Sequence, residues 1–238
     1  MPKSAAYRQT AKAVSFIAKA MSKVAAGLGY KLGKQAGESY GILDKIFNIL
    51  GKVSGHEMPI ADSISDSEMD TLRDAQRQYA SQEEIDAVKA YSGSAYVNIN
   101  SYLYGNGDKY WQKVVDKLDA VTNTPIGKDV ILYRGANALD LKQLPENLQD
   151  AVGATVRFKH FASFGYDFYR SFTHKPVVYA LKVPAGTNAK IITDISKFGH
   201  SESEVLMARD TDVKIERIED TGSKIIIHGV VVGQKRHK

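Results

Sequence analysis

Along the chain the apolar positions follow two periods in turn. Up to about residue 121 they recur every three or four residues, the spacing that gathers one face of an α-helix, and from there on they form short β-rich runs divided by turns. In the first stretch Arg8, Lys12, Lys19 and Lys23 fall in a narrow stripe, and Val14, Ile17, Met21, Val24 and Leu28 lie almost opposite, at about 100° per residue. This predicts an amphipathic basic helix running to Gly27 and Gly29. GILDKIFNILGKV, residues 41–53, predicts a second short amphipathic piece presenting Ile42, Ile46, Phe47, Ile49 and Leu50. SGHEMPIADSISDSE, residues 54–68, has the polar, small-residue character of a linker. It divides the chain into an N-terminal segment, 1–60, and a larger domain, 61–238.

Helical signals return after the linker. SQEE at 81–84 has the Ser-x-x-Glu form of a capping box and opens a helix through IDAVKAYS. Further helices are predicted through AYVNINSYL and DKYWQKVVDKLDAV, and NTPIGK is a turn. The β-rich runs are VILYR, ATVRFKHFAS, PVVYALKV, AKIITDI, SEVLM, VKIERI and KIIIHGVVV. Helices followed by strands indicate an α+β fold with a mostly antiparallel or mixed sheet in the second half.

Composition changes this picture in three places. The 238 residues include no cysteine, which excludes disulfides, thiolate metal sites and cysteine nucleophiles. No apolar run approaches the roughly 18 residues that span a bilayer, and the N-terminus has no secretory signal pattern. The net charge of +5 is local: seven of the 32 basic side chains lie in residues 1–37 with no acid, so beyond them acids outnumber bases. A basic terminal helix suits an anionic membrane surface or an acidic partner. It equally suits an ordinary helix with its apolar face on the core and its lysines in water. Specific nucleic-acid binding is not expected.

The candidate chemistry begins at SESEVL, residues 201–206. On a strand, side chains two apart face the same way, so Glu202 and Glu204 are expected to aim two carboxylates into one space, about 6 to 7 Å apart. Such a pair repels itself unless a cation arrives between its members. Two further groups precede it on separate strands, Arg134 in LYRG and Ser163 in FASFG. Arginine suits phosphate, a serine can position a carboxylate, and a carboxylate pair can stabilise a sugar cation while activating a nucleophile. Together they describe cleavage of a nucleotide N-glycosidic bond.

In this order, AYSGSAYVNINSYL, VILYRG, FASFG, LKVPAGTNAKII and ESEVLMAR resemble the mono-ADP-ribosyltransferases of the arginine-serine-glutamate class, in the bacterial toxin and effector branch with a Glu-x-Glu motif. The resemblance covers most of residues 80–235. It implies a two-sheet ADP-ribosyltransferase core, NAD as co-substrate and no metal. By resemblance, Arg134, followed by Gly135, contacts the NAD phosphates, and Ser163 helps hold the catalytic glutamate and the nicotinamide ribose. Glu204 stabilises the oxocarbenium ion, while Glu202 orients and deprotonates the acceptor, with glutamate at that position implying arginine as the target. Tyr91, Tyr96 and Asn100 sit where the helical motif lines the NAD site, Asn100 foremost, and Phe198 lies in the loop that presents the acceptor protein. The chain departs from the family in having Ser163-Phe164-Gly165 where Ser-Thr-Ser is usual, and Gly135 where a second arginine is common. The strand phase turns Phe164 inward with Ala162, away from Ser163.

The six histidines show no metal-ligand spacing. His200 beside the glutamates is read as a turn histidine facing water, and Tyr110 and Trp111 as core residues. No glycine-rich dinucleotide fingerprint is present, so a cleft would hold NAD. Two other readings stand beside the transferase: an NAD glycohydrolase with the same site, and a membrane- or partner-binding protein with a degenerate catalytic fold. The transferase reading implies an effector delivered by a non-conventional route, or a bacteriophage protein, acting in a recipient cytoplasm.

Overall fold

The computed structural model describes residues 64–237 apart from Glu146, Phe172, Gly222 and Ser223. The basic helix expected within residues 1–37 and the amphipathic piece at 41–53 lie outside the described residues. The first described helix, α1 (Asp66–Ala75), starts inside the stretch expected to be linker. Ser65 and Glu68 form a reciprocal capping box there; at α2 (Gln82–Ala90) Ser81 caps the Glu84 N–H, but the Glu84 carboxylate turns to the Ala80 N–H and Arg77, so only half of the expected box forms. Four residues were enough to turn the end of the linker into helix.

After α2 the chain makes one wide turn, Tyr91–Ala95, with Gly93 outside helical geometry, and continues as α3 (Tyr96–Leu103). The two expected helices are therefore joined through a π-type turn, a feature often found at functional sites. Asp108 caps a short 3₁₀ turn, Lys109–Trp111, that leads into α4 (Gln112–Thr122). Tyr110, expected in the core, points outward at 68 % exposure, edge-on to Trp111. The tighter turn shifts the phase ahead of α4 and carries Tyr110 off the apolar face.

Among the described residues eight strands follow: β1 (Val130–Gly135), β2 (Thr155–Phe158), β3 (Ala162–Gly165), β4 (Val177–Val183), β5 (Ala189–Ile191), β6 (Glu204–Met207), β7 (Thr211–Asp220) and β8 (Ile225–Gln234). A short helix, α5 (Ala138–Lys142), follows β1. The hydrogen-bonded order is β2-β7-β8-β4-β1-β3-β6-β5, antiparallel throughout except for β4 against β8. This is the expected α+β arrangement with a mixed sheet. One link differs from the rest: β1 and β3 share the single register pair Tyr133–Gly165, whereas β1 and β4 share six. The ladder is thus a five-stranded half and a three-stranded half joined at one point.

The two halves share an interior. Leu132, Tyr179, Leu181 and Ile227 from one half and Ala162, Phe164, Val205 and Met207 from the other belong to the same buried cluster. Phe158 packs edge-to-face against both Phe164 and Tyr179. Phe164 faces inward with Ala162, as the strand phase requires. The opposite face of the three-stranded half, through Phe161 and Leu206, packs on Val88, Tyr91, Ile99, Val115 and Leu118 of the helices. Ser163 and Glu204 lie on this helix-facing side, because Ser163 is opposite Leu206 and Glu204 is opposite Gly165.

Two polar devices fix the edges. Gln76, buried after α1, donates from Nε2 to the Ala189 carbonyl at 2.6 Å and accepts the Ile191 N–H at 3.0 Å, so its amide occupies the outer edge of β5 as a neighbouring strand would. Arg209, just after β6, grips Asp119 of α4 through two nitrogens at 2.8 Å each. Asp119→Ala would leave the part-buried guanidinium with only the looser 3.7 Å contact to Asp210 and is expected to cost about 3 kcal/mol of stability, measured by urea unfolding. Asp119→Leu with Arg209→Met should recover most of it.

Candidate active site

Continuing the antiparallel register beyond Tyr133–Gly165 would set Gly135 opposite Ser163. The strands do not continue that way. The Ser163 carbonyl accepts instead from Arg134 Nη1 at 2.7 Å, and the Gly135 N–H donates to the carbonyl of Ser171 at 3.2 Å. Arg134 and the loop after β3 take the place of the missing ladder, which brings Arg134 against the strand carrying Ser163. The guanidinium also lies 5.9 Å from the Phe164 ring centroid. The residue that departs from Ser-Thr-Ser therefore packs under the arginine from the core side.

Gly165 has a steric reason. A side chain there would put its Cβ 2.1 Å from Ser171 Oγ and 3.0 Å from the Glu202 carbonyl. The hydroxyl of Ser171, itself buried, fills the floor of the site where a third motif serine would stand.

Glu204 begins β6 and is 3 % exposed. Its Oε2 accepts from Ser196 Oγ at 2.5 Å. Ser163 enters the network through its backbone carbonyl, and the hydroxyl that holds Glu204 comes from the loop between β5 and β6. Sequence reasoning missed Ser196. The expected strand AKIITDI ends at Ile191 and winds into turns, with the Ser196 N–H donating to the Ile192 carbonyl at 2.7 Å, which aims the serine back at β6. Gly199, at φ +56°, lets the loop turn once more.

Glu202 is not on a strand. It lies in the turn before β6, and Ser203 between the glutamates has a left-handed φ of 50° and is fully buried. Strand alternation therefore does not bring the two carboxylates together as expected; a strained turn does. Strain at a non-glycine residue is characteristic of sites where geometry is imposed by function. Burial and then the neighbouring Glu204 push the Glu202 carboxyl up to about 7.

The helical motif forms the opposing wall. Tyr91 donates to the Phe161 carbonyl, and Asn100 Nδ2 donates to the Tyr91 oxygen at 3.2 Å. Tyr91 and Asn100 are both buried, and Tyr96, edge-on to Tyr91, is half-buried. The phenol of Tyr91 is raised by burial, with Arg134 opposing and Glu204 and Asp140 adding to the shift, so it stays a neutral donor close to the charged groups. Phe198 is 47 % exposed at the outer end of the loop, with Lys197 Nζ 5.8 Å from its ring. The loop is moored to the wall by the Lys197 N–H donating to Ser92 Oγ at 3.0 Å.

A second group of residues escaped sequence reasoning altogether. Arg134 Nε donates to Asp140 Oδ2 at 3.0 Å, and His160 Nε2 meets Asp140 Oδ1 at 3.1 Å, both Asp140 and His160 having no exposed side-chain surface. Tyr104 lies 3.2 Å from the other nitrogen of His160. The visible signal was local only: Asn137 and Asp140, three apart, bind each other's backbone N–H groups at 2.8 and 3.0 Å and start α5. Among the described residues no group of three or more His, Asp or Glu is arranged to hold a metal, and no helix is long and apolar enough to cross a membrane.

The sequence model for the ADP-ribosyltransferase exoenzyme domain matches residues 56–234, and the chain belongs to that family. No curated protein matches it. Among similar solved structures, that of a C3 protein from S. aureus with NAD is 20 % identical, with a TM-score of 0.59 over 76 % of this chain and 100 % of that one. The Clostridium limosum C3 exoenzyme is 19 % identical, with a TM-score of 0.58 over 74 % of this chain and 98 % of its own. The enzymatic component of the C2-toxin from Clostridium botulinum, 20 % identical, has a TM-score of 0.56 over 66 % of this chain and 44 % of its own. At these identities the likeness is one of fold.

The raised carboxyl of Glu202 has a consequence for stability. The unfolded chain ionises it near the ordinary 4.5 and the folded one near 7, so the cost of ionising it while folded accrues between those values and is full above them. Glu202→Gln removes that cost. It is expected to raise the Tm at about pH 8 and leave it unchanged at about pH 4, by calorimetry at both.

Proposed function

We propose that this ADP-ribosyltransferase transfers ADP-ribose from NAD to arginine side chains of an acceptor protein. The observation that carries the reading is the Glu202–Glu204 turn: one carboxylate buried and held by Ser196, the other half-buried with its carboxyl raised to about 7. One of the similar structures was determined with NAD, which supports NAD as the co-substrate here.

In this reading NAD lies between the helical wall and the split in the sheet. Arg134, held by β3 and Asp140, faces the pyrophosphate as a planar donor. Tyr91, Tyr96 and Asn100 line the wall, with Tyr96 half-buried. The bond from the ribose to nicotinamide breaks heterolytically, and nicotinamide leaves as a neutral molecule with the bonding pair. The cation left at the anomeric carbon is stabilised by Glu204, a carboxylate already fixed before the reaction and so costing no reorganisation. A guanidinium nitrogen of the acceptor then bonds to that carbon and gives its proton to Glu202. A base that titrates near neutrality is well matched to take a proton there and release it to water; positioned bases contribute on the order of 10²–10⁴-fold. The product keeps one positive charge on its substituted guanidinium.

The arriving guanidinium also relieves the repulsion between the two glutamates, which favours a cationic acceptor over a neutral one. Exposed Phe198 and Lys197 at the rim are placed to meet the acceptor's surface. The toxin and exoenzyme character of the similar proteins supports an effector that acts inside a recipient cell.

The test is nicotinamide release from NAD with and without agmatine, a small guanidino acceptor. The wild type is expected to label agmatine. Glu202→Gln should keep hydrolysis and lose labelling by about 10²-fold or more, and Glu204→Gln should lose both. Release without labelling would place the protein with the glycohydrolases or with another acceptor.

A further inference from the structure

The chain Tyr104, His160, Asp140 accounts for more hydrogen bonding than a structural cap requires. Asp140 is already satisfied as a helix cap by Asn137, whose N–H reaches Oδ2 at 2.8 Å. The same oxygen takes Arg134 Nε at 3.0 Å, and Oδ1 takes His160 Nε2 at 3.1 Å. Burial would raise this carboxyl, yet Arg134 and His160 together hold it well below the usual carboxylate range, so it is ionised and only accepts. His160 Nε2 must then be the donor. Its Nδ1 lies 3.2 Å from the Tyr104 hydroxyl, so the hydrogen-bonded chain runs through Tyr104, His160 and Asp140, and the arginine closes it from the other end.

We propose that Tyr104, His160 and Asp140 are a positioning relay for Arg134, tying the helical wall to the strand that carries the arginine. Two different nitrogens of the guanidinium are engaged, Nε by Asp140 and Nη1 by the Ser163 carbonyl, and two such bonds fix both the plane and the roll of the group. A buried ion pair adds little net stability over apolar residues of the same shape, so its contribution here is geometric. Tyr104 caps the end of α3, its N–H donating to the Asn100 carbonyl at 3.2 Å, and Asn100 bonds Tyr91. The wall residues and the arginine on the far side of the cleft thus belong to one hydrogen-bonded chain. A shift of the wall moves Arg134, and an anion held by Arg134 orders the wall.

This rests on the reading of Arg134 as the group that meets the NAD pyrophosphate, and the experiment separates the two. The KM for NAD and kcat of nicotinamide release are measured on the full chain for the wild type, Arg134→Lys, His160→Leu, His160→Gln and Tyr104→Phe. Lysine cannot reproduce the planar fork, so Arg134→Lys should raise the KM for NAD by about 10²-fold. His160→Leu fills the space without a donor and should raise it about tenfold, with kcat falling less than about threefold. His160→Gln returns an N–H to the Nε2 position and should bring the KM back to within about threefold of the wild type. A KM unchanged in His160→Leu, or raised equally in His160→Gln, overturns the relay while leaving Arg134 in its role. A KM unchanged in Arg134→Lys overturns that role and the relay with it. Where His160→Leu does not fold, Tyr104→Phe decides. Loss of this half-buried hydroxyl should raise the KM about threefold at an unchanged Tm, and an unchanged KM counts against the relay.

Discussion

The two halves of the sheet meet at one ladder position, Tyr133 opposite Gly165, and from there backbone pairing gives way to a side chain. The Ser163 carbonyl, which a longer ladder would have paired with Gly135, takes its hydrogen bond from Arg134 instead. A carbonyl turned away from water needs a donor, and here that donor is a charged side chain. The opening in the sheet and the orientation of the arginine are one structural fact. Gly165 and Ser171 belong to it too, because the loop that supplies the Gly135 N–H with an acceptor also brings a hydroxyl into the space a side chain at 165 would need.

The glutamates answer to a second constraint. Glu204 is fixed from the side by Ser196, and Glu202 is set by a turn whose middle residue is buried in a left-handed conformation. A flexible pair of acids would drift apart in water. This pair stays together because the loop from Ile192 onward is wound on its own backbone hydrogen bonds and moored to Ser92 on the wall. Holding two acids this close costs energy that an opposite charge between them would offset.

Much of this was legible in the sequence because it is periodic or local. The strands around Arg134, Ser163 and Glu204 follow from alternation, the inward turn of Phe164 from strand phase, and the start of α2 from its N-cap serine. What was not legible depends on turns and on distance. The capping box at Ser65 was hidden in a stretch whose composition reads as linker, and AKIITDI has the composition of a strand over residues that in fact coil. Glu202 and Glu204 share their site through a turn that a period-two argument does not describe. Asp140 and His160 are twenty residues apart, and nothing in either local sequence announces that α5 and the turn before β3 bring them together.

Gln76 settles a different matter. By offering one acceptor and one donor to the outer side of β5, its amide ends the sheet as a further strand would, and the Thr124 carbonyl takes the remaining N–H, that of Ala189. The N–H groups of Ala189 and Ile191 and the Ala189 carbonyl are thereby closed to a foreign chain. Assembly of this protein on that side therefore leans on side chains, which are selective, more than on main chain, which accepts nearly any sequence.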